Sequence, residues 1–123
     1  MRAFLEAHRS EAPSGGLGVE AGTARERVLA WQRLLIAHGY AARTIPREYG
    51  GFGAAPDLLE RVILDEEFNR AGVSRGVGGQ GPDMLVPTLL EHGSEEQKQA
   101  FVARTIRGEV IWCQGYSEPG AGS

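Results

Sequence analysis

The chain has 123 residues, enough for one small domain with its own core but too few for two. Its net charge is -3, and its 13 basic and 16 acidic residues are scattered, which argues against binding to nucleic acid or to an anionic membrane. No apolar run approaches the roughly 20 residues that cross a bilayer, and residues 1–11 lack the apolar core of a signal peptide. We therefore expect a soluble protein without a membrane span. The single Cys113, which cannot form an internal disulfide, is typical of a reducing cytoplasm.

Three predicted helices begin with a capping box, in which one side chain accepts a hydrogen bond from the helix N-terminus and another reaches back to the cap. The three patterns are Thr23-x-x-Glu26, Asp57-x-x-Glu60 and Ser94-x-x-Gln97.

Glycines close to the ends of the apolar patterns predict where these helices stop. We predict a first helix to about His38, a second from Leu58 to about Arg70, and a third over Glu95 to Ile106. The first carries an apolar stripe at three- and four-residue spacing that consists of Val28, Trp31, Leu35 and His38.

A fourth, shorter helix is predicted to begin at Pro82, where a first-turn proline belongs, and to end at Gly93. It carries Met84 and Leu85. Pro87 should kink or break it, because proline has no N–H and its ring clashes with the carbonyl four residues back.

The pattern changes after Glu109. Val110 to Cys113 form an apolar, β-prone run without helical periodicity, which predicts a strand. A lone cysteine in such a strand usually contributes packing rather than a reactive thiol, so we expect Cys113 to be packed. A lone strand cannot satisfy its own backbone groups, so this strand needs a partner that the sequence does not show.

The segment Gly76 to Gly81 matches the Gly-x-Gly-x-x-Gly pattern of dinucleotide-binding loops. Such a loop must follow a strand, open a helix and precede an acidic residue by about 20 positions. Here it follows a predicted helix and leads into Pro82. We therefore interpret it as a structural loop and not as a nicotinamide site.

Other polar residues favour structural roles. His38 and His92 each precede a glycine that ends a predicted helix, so capping explains them better than catalysis. No pair of histidines has metal-ligand spacing. Glu66 and Glu67 face different directions on a helix, and we expect one to be buried and paired and the other to be solvated.

The end of the chain, Ser117-Glu118-Pro119-Gly120-Ala121-Gly122-Ser123, resembles the Ser/Thr-Glu-Pro-x-x-Gly-Ser segment of the acyl-CoA dehydrogenase family of flavoenzymes. The stretch Ile-Pro-Arg-Glu-Tyr-Gly-Gly-Phe-Gly at residues 45–53 is similar to the family's Pro-x-Glu-x-Gly-Gly loop. Further landmarks in the family order are Trp31 with Gly39-Tyr40, Glu66-Glu67, residues 87–90, Gly93, Gln97-Lys98 and Gly108-Glu109. The resemblance extends over the whole chain.

The resemblance implies a mainly α fold: a helical bundle that is the N-terminal domain of the acyl-CoA dehydrogenase type, at residues 1–108. Residues 109–123 would be the start of a truncated middle β-domain and contribute one terminal β-strand. The chain is then expected to be a fragment of an oxidoreductase of fatty acid metabolism that dehydrogenates acyl-CoA thioesters at the α and β carbons. By itself this fragment should be inactive and bind FAD weakly at best.

The resemblance also assigns residues to ligands. FAD is expected to contact Gln114, Tyr116 and Ser117 at its ring, with Gly122 and Ser123 near its pyrophosphate or the substrate. Hydroxyl or N–H groups beside a flavin can stabilise the charge that grows on it during reduction. A purely structural turn is the alternative for this segment.

For the acyl-CoA substrate, the resemblance assigns Ser123, Met84 and Pro87, although burial in the core explains Met84 and Pro87 equally well. The family's catalytic glutamate belongs to a later helical domain. No catalytic residue is therefore assigned in this chain, and Glu118, which precedes Pro119 in a turn, is interpreted as structural.

Two other functions stay open at this point. One is an acyl-CoA oxidase or a flavin-dependent monooxygenase on the same fold, and the other is a non-catalytic helical interaction module. The resemblance further implies an electron-accepting flavoprotein as partner and an oligomeric full-length enzyme.

Overall fold

The computed structural model describes residues 1–13, 22–115 and 119–121. These ranges contain five α-helices: α1 (Arg2–His8), α2 (Thr23–Ala37), α3 (Leu58–Ala71), α4 (Val86–His92) and α5 (Glu95–Ile106). A 3₁₀ turn spans Arg47–Tyr49, and a π-helical segment, Gly81–Leu85, leads directly into α4. The prediction of a mainly α fold is thus confirmed for the described residues. None of the helices in these ranges is long and apolar enough to cross a membrane.

Two of the predicted helix caps are confirmed. Asp57 accepts a hydrogen bond from the backbone N–H of Glu60 at 3.1 Å, which confirms the cap but only half of the predicted capping box, because the Glu60 carboxylate pairs with Arg43. Ser94 and Gln97 form a complete capping box, with the Gln97 N–H donating to Ser94 Oγ at 3.3 Å and the Ser94 N–H donating to Gln97 Oε1 at 2.9 Å.

The prediction that Thr23 caps the first of these helices is wrong. Helix α2 already includes Thr23, and Gly22 is its N-cap residue. Gly22 has φ 67° and ψ -135°, a conformation that residues with a side chain rarely adopt, so the chain can turn into the helix one residue earlier than the pattern indicates.

The predicted disruption of the helix at Pro87 occurs before the proline, where the chain forms the π-helical segment instead of a regular α-helix. There the Val86 N–H bonds to the Gly81 carbonyl, five residues back. Pro87 lies in the first turn of α4, but the backbone before it is already helical, so its missing N–H interrupts the hydrogen-bond ladder where the two segments join. The wider turn accommodates the proline ring, which would clash with the Asp83 carbonyl in a regular α-helix.

Two apolar clusters form the core. The first joins α1, α2 and α3 and consists of Leu5, Trp31, Leu35, Leu64, Phe68 and Val73. The second joins the 3₁₀ turn, α4 and α5 and consists of Tyr49, Val86, Val102 and Ile106. Of the predicted stripe on α2, Trp31 and Leu35 are buried, Val28 is half-buried and His38 is exposed. His38 is the C-cap residue of α2.

An ion pair ties α1 to α3. The Arg2 guanidinium binds both carboxylate oxygens of Glu67, at 2.6 and 2.7 Å, and Arg70 Nη1 lies 2.7 Å from the same carboxylate. The hydrogen bonds from Arg2 and the nearby positive charges lower the pKa of Glu67 against the effect of burial. Glu67 is buried whereas Glu66 is exposed, so the expectation for this pair of carboxylates is confirmed.

The predicted terminal strand does not form in the described part of the segment, residues 110–115. A strand needs a neighbouring strand to bond its backbone groups, and no strand occurs in the described residues. Trp112 instead packs on α5, and Cys113 is exposed, so the expectation that Cys113 is packed is wrong.

Candidate functional site

A groove of about 440 Å³ lies between the N-terminal half of α2, the loop that leads into the π-helical segment, and the residues that follow α5. Val28 and Leu29 line it on the α2 side, Val77 on the loop side, and Trp112 after α5. Arg25 contributes a positive charge to this mainly apolar lining. The groove can therefore accept an apolar group, with a guanidinium nearby for a negative charge.

Trp112 anchors the chain after α5. Its indole Nε1 donates to Thr105 Oγ1 at 2.9 Å, and its ring meets Phe101 edge-on with the centroids 5.5 Å apart. A Cβ atom at Gly81 would lie 2.7 Å from the Trp112 ring and 2.8 Å from Thr105 Cγ2. The loop can approach Trp112 only because residue 81 has no side chain.

Side chains accept hydrogen bonds from three backbone N–H groups of the glycine-rich loop at residues 76–81. Ser74 Oγ accepts from the Gly76 N–H at 3.1 Å, Gln32 Oε1 from the Val77 N–H at 2.7 Å, and Asp83 Oδ2 from the Gly79 N–H at 2.7 Å. A phosphate-binding loop would offer such groups to its ligand. The loop also follows α3 rather than a strand. Both observations support its interpretation as a structural loop.

The residues assigned to FAD are only partly described. Gln114 is exposed, and its Oε1 lies 3.4 Å from Nε2 of Gln80 beside the groove. Side-chain amides both donate and accept hydrogen bonds, which suits the polar edge of a flavin ring. Tyr116, Ser117, Gly122 and Ser123 lie outside the described residues, as does Glu118, so the assignment stays a prediction.

Met84 and Pro87, assigned to the acyl-CoA substrate, are both exposed, Met84 by 55%. The alternative that they belong to the core is therefore wrong. Neither residue lines the groove beside Trp112. Their contact with a substrate stays a prediction.

Two histidines that are far apart in sequence meet in space. The rings of His8 and His38 each lie 4.7 Å from Phe4, between centroids, and 6.2 Å from each other. His8 Nδ1 also lies 2.6 Å from a carboxylate oxygen of Glu11. His38 and His92 are at helix ends, as expected for capping, and His8 is the last residue of α1. Within residues 1–13, 22–115 and 119–121, no three His, Cys, Asp or Glu side chains are arranged to hold a metal ion.

The loop that resembles the family's Pro-x-Glu-x-Gly-Gly segment is attached to the start of α5. Tyr49 in this loop is buried, and its hydroxyl donates to Glu95 at 2.8 Å. This hydrogen bond, with burial, raises the pKa of Tyr49 to about 12. Hydrogen bonds from Gln99 and then from Tyr49 lower the pKa of Glu95. The tyrosine therefore has a structural role in the described fold.

Sequence reasoning missed Gln32 and Thr105. Gln32 is 2% exposed and Thr105 is completely buried, and both bind groups beside the groove. Gln32 lies four residues after Val28 and three before Leu35, so it shares the apolar face of α2. This spacing could have identified it as a buried polar residue.

The sequence model of the protein family "Acyl-CoA dehydrogenase, N-terminal domain" matches residues 2–109 of this chain. The acyl-CoA dehydrogenase IpdE1 of Mycolicibacterium smegmatis is 40% identical over 109 residues, which are 89% of this chain and 27% of that protein. The mitochondrial isovaleryl-CoA dehydrogenase of Solanum tuberosum is 38% identical over 81 residues, 65% of this chain and 19% of its own length. The short-chain specific acyl-CoA dehydrogenase of Clostridium acetobutylicum is 38% identical over 87 residues, 68% of this chain and 22% of its own length. No solved structure matches the chain significantly.

The chain thus belongs to the acyl-CoA dehydrogenase family, and its matched residues correspond to the N-terminal domain. The resemblance found in the sequence is confirmed. The chain spans about a quarter of the length of IpdE1 and about a fifth of the other two relatives.

Proposed function

We propose that this chain is the N-terminal helical domain of a flavin-dependent oxidoreductase that dehydrogenates acyl-CoA thioesters at the α and β carbons. The match of residues 2–109 to the family's N-terminal domain carries the proposal. In the longer protein, residues 1–108 would form the helical domain and residues 109–123 would begin a middle β-domain. The catalytic glutamate would come from a later helical domain.

FAD is the proposed cofactor, and when bound it would supply the hydride acceptor. Gln114, Tyr116 and Ser117 would then contact its ring, and Gly122 and Ser123 its pyrophosphate or the substrate. The position of Gln114 beside Gln80, two residues after the anchored Trp112, supports this assignment.

For the thioester substrate, the exposed Met84 and Pro87 would contribute apolar contacts, together with Ser123. Their exposure supports a role in binding because a core residue would be covered. An electron-accepting flavoprotein would reoxidise the enzyme, which would work in the cytoplasm, in fatty acid metabolism, as an oligomer. An acyl-CoA oxidase or a flavin monooxygenase would use the same domain with a different oxidant.

A non-catalytic interaction module is the second candidate, and the surface of α3 favours it. Four apolar side chains there are exposed: Leu58 by 78%, Leu59 by 69%, Val62 by 45% and Ile63 by 43%. An exposed apolar patch on a helix suits a protein contact.

A graft separates the two candidates. Residues 2–109 of this chain would replace the matched segment of the M. smegmatis relative, and the purified graft would be assayed for bound flavin by visible absorbance. Dye reduction would then be measured with a panel of acyl-CoA thioesters, with the unmodified relative as control. We expect bound flavin and thioester-dependent reduction. A folded, flavin-loaded graft that reduces no dye with any thioester that the control oxidises would contradict the proposal.

The 123-residue chain alone offers a second test. We expect it to bind FAD weakly, since most of the proposed site lies elsewhere in the longer protein. Stoichiometric binding at micromolar FAD in a fluorescence titration would contradict this division of the site.

A further inference from the structure

A buried glutamine connects three elements around the groove. The side chain of Gln32, 2% exposed, donates from Nε2 to the Ile106 carbonyl at 2.7 Å and accepts at Oε1 from the Val77 N–H at 2.7 Å. Both ends of the buried amide are therefore satisfied. Its neighbour on the helix, Trp31, is buried in the apolar core instead.

The glycine-rich loop lies directly on this amide. A Cβ atom at Gly76 would be 2.2 Å from Gln32 Oε1, so the backbone there could not come as close with any other residue. Ser74 and Asp83, which bind the Gly76 and Gly79 N–H groups, are two and four residues from their partners. Gln32 is 45 residues from Val77 and thus attaches the loop to another helix.

The same amide also fixes the end of α5. Ile106 is the last residue of that helix, and the segment with Gly108 and Trp112 on the groove follows it. Gln32 therefore links α2, the loop and the end of α5, which are the elements that enclose the groove. A shift of the loop would also reach Trp112, since residue 81 is so close to its ring that a Cβ atom there would lie 2.7 Å from it.

From these contacts we infer that Gln32 is a positioning residue: it holds the loop at residues 76–81 as one wall of the groove. This apolar groove would take part of the acyl group of the substrate, in addition to the contacts proposed for Met84 and Pro87 outside it, so Gln32 would set the affinity of the groove for that group. The part about the acyl group rests on the proposed function, whereas the part about the loop does not. Loss of the amide would separate the walls without removing a group that touches the ligand.

The test of the loop uses the 123-residue chain with Gln32→Met, which is similar in length but makes neither hydrogen bond. Leu64→Ala is the control, because it weakens the core away from the groove. We expect the Val77 amide to exchange at least about tenfold faster in Gln32→Met, relative to Val102. Iodide should quench Trp112 more strongly, and Trp31, only 1% exposed, will not contribute to that change.

If Gln32→Met and Leu64→Ala changed the Val77 exchange rate and the quenching of Trp112 equally, the inference would be overturned. If Gln32→Met does not fold, the unsubstituted chain decides: its Val77 amide must have a higher protection factor than that of Gly78, and equal protection factors would overturn the inference.

The test of binding uses the flavin-loaded graft. Gln32→Met should raise KM for the thioester about tenfold, with kcat and flavin content changed by less than about twofold, and Leu64→Ala should leave KM unchanged. If Gln32→Met loosened the loop but left KM unchanged, the inference that Gln32 sets the affinity for the acyl group would be overturned. An inactive graft without any substitution would refute the proposed function instead, and the loop measurements would still decide the positioning part.

Discussion

The indole N–H of Trp112 donates a hydrogen bond to the hydroxyl of Thr105 at 2.9 Å, and Thr105 is completely buried. This bond folds the segment after α5 back onto the same helix, seven residues earlier. It places an aromatic wall on the groove and fixes the point from which Gln114 continues.

Thr105→Val should destabilise the fold, since valine keeps the shape of the threonine side chain but leaves the Trp112 indole N–H without its acceptor. We expect a loss of about 1–2 kcal/mol of unfolding free energy in urea and a red-shifted fluorescence of Trp112. Thr88→Val is the control, because the Thr88 hydroxyl donates to a helix carbonyl at an exposed position. Equal losses in the two variants would contradict this account.

Gly81→Ala should displace Trp112. The added Cβ would lie 2.7 Å from the Trp112 ring and 2.8 Å from Thr105, so we expect about 1–3 kcal/mol of destabilisation in urea unfolding and stronger quenching of Trp112 by iodide. Gly78→Ala in the same loop is the matched control, since its Cβ would make only an ordinary contact with Asp83 at 3.6 Å. A Gly81→Ala chain as stable as Gly78→Ala would refute the close approach.

Glu67 should make the fold sensitive to acid. Its pKa is lowered in the folded chain, so its stabilising effect is present above the ordinary glutamate pKa of about 4.3 and is lost as the pH falls through the lower folded value. Glu67→Gln should therefore be less stable than the unsubstituted chain at neutral pH, and the difference should shrink toward pH 3. Thermal unfolding across this range would show it. Glu66→Gln, at the exposed neighbouring residue, should change the stability neither at neutral pH nor at pH 3.

Tyr49 should ionise late in alkaline solution. Its folded pKa of about 12 exceeds the ordinary value of about 10, so its stabilising effect is present below pH 10 and is lost as the pH approaches 12. An ultraviolet titration of tyrosinate should show a late step that is absent from Tyr49→Phe and retained in Tyr40→Phe. Completion of all tyrosinate absorbance before about pH 11 would disprove it.

Ser94→Ala should weaken the start of α5. The variant loses the side-chain half of a complete capping box, which costs about 0.5–2 kcal/mol of unfolding free energy in urea. Ser10→Ala is the control, since Ser10 is exposed and contributes its backbone carbonyl to Arg27. A Ser94→Ala chain within the error of the control would mean that the cap contributes nothing.

Local chemistry allowed several elements to be predicted from the sequence. The caps at Asp57 and Ser94 are hydrogen bonds between residues three positions apart, so the local residue pattern predicted them correctly. The helix that follows each cap, and the family resemblance itself, needed no knowledge of the packing. The cap of α2 was misplaced because the backbone of Gly22 can start a helix without a side-chain bond.

The sequence by itself thus determined the family, the mainly helical fold and the positions of most helix ends, because these depend on residues close together along the chain. Only the tertiary structure decided the partner of Glu67, 65 residues away in Arg2, and the role of Gln32 between Val77 and Ile106. It also decided that residues 110–115 form no strand there, since a strand depends on a neighbour rather than on its own residues. Contacts between residues so far apart depend on how the helices pack against each other, and the residue spacing within one helix does not predict them.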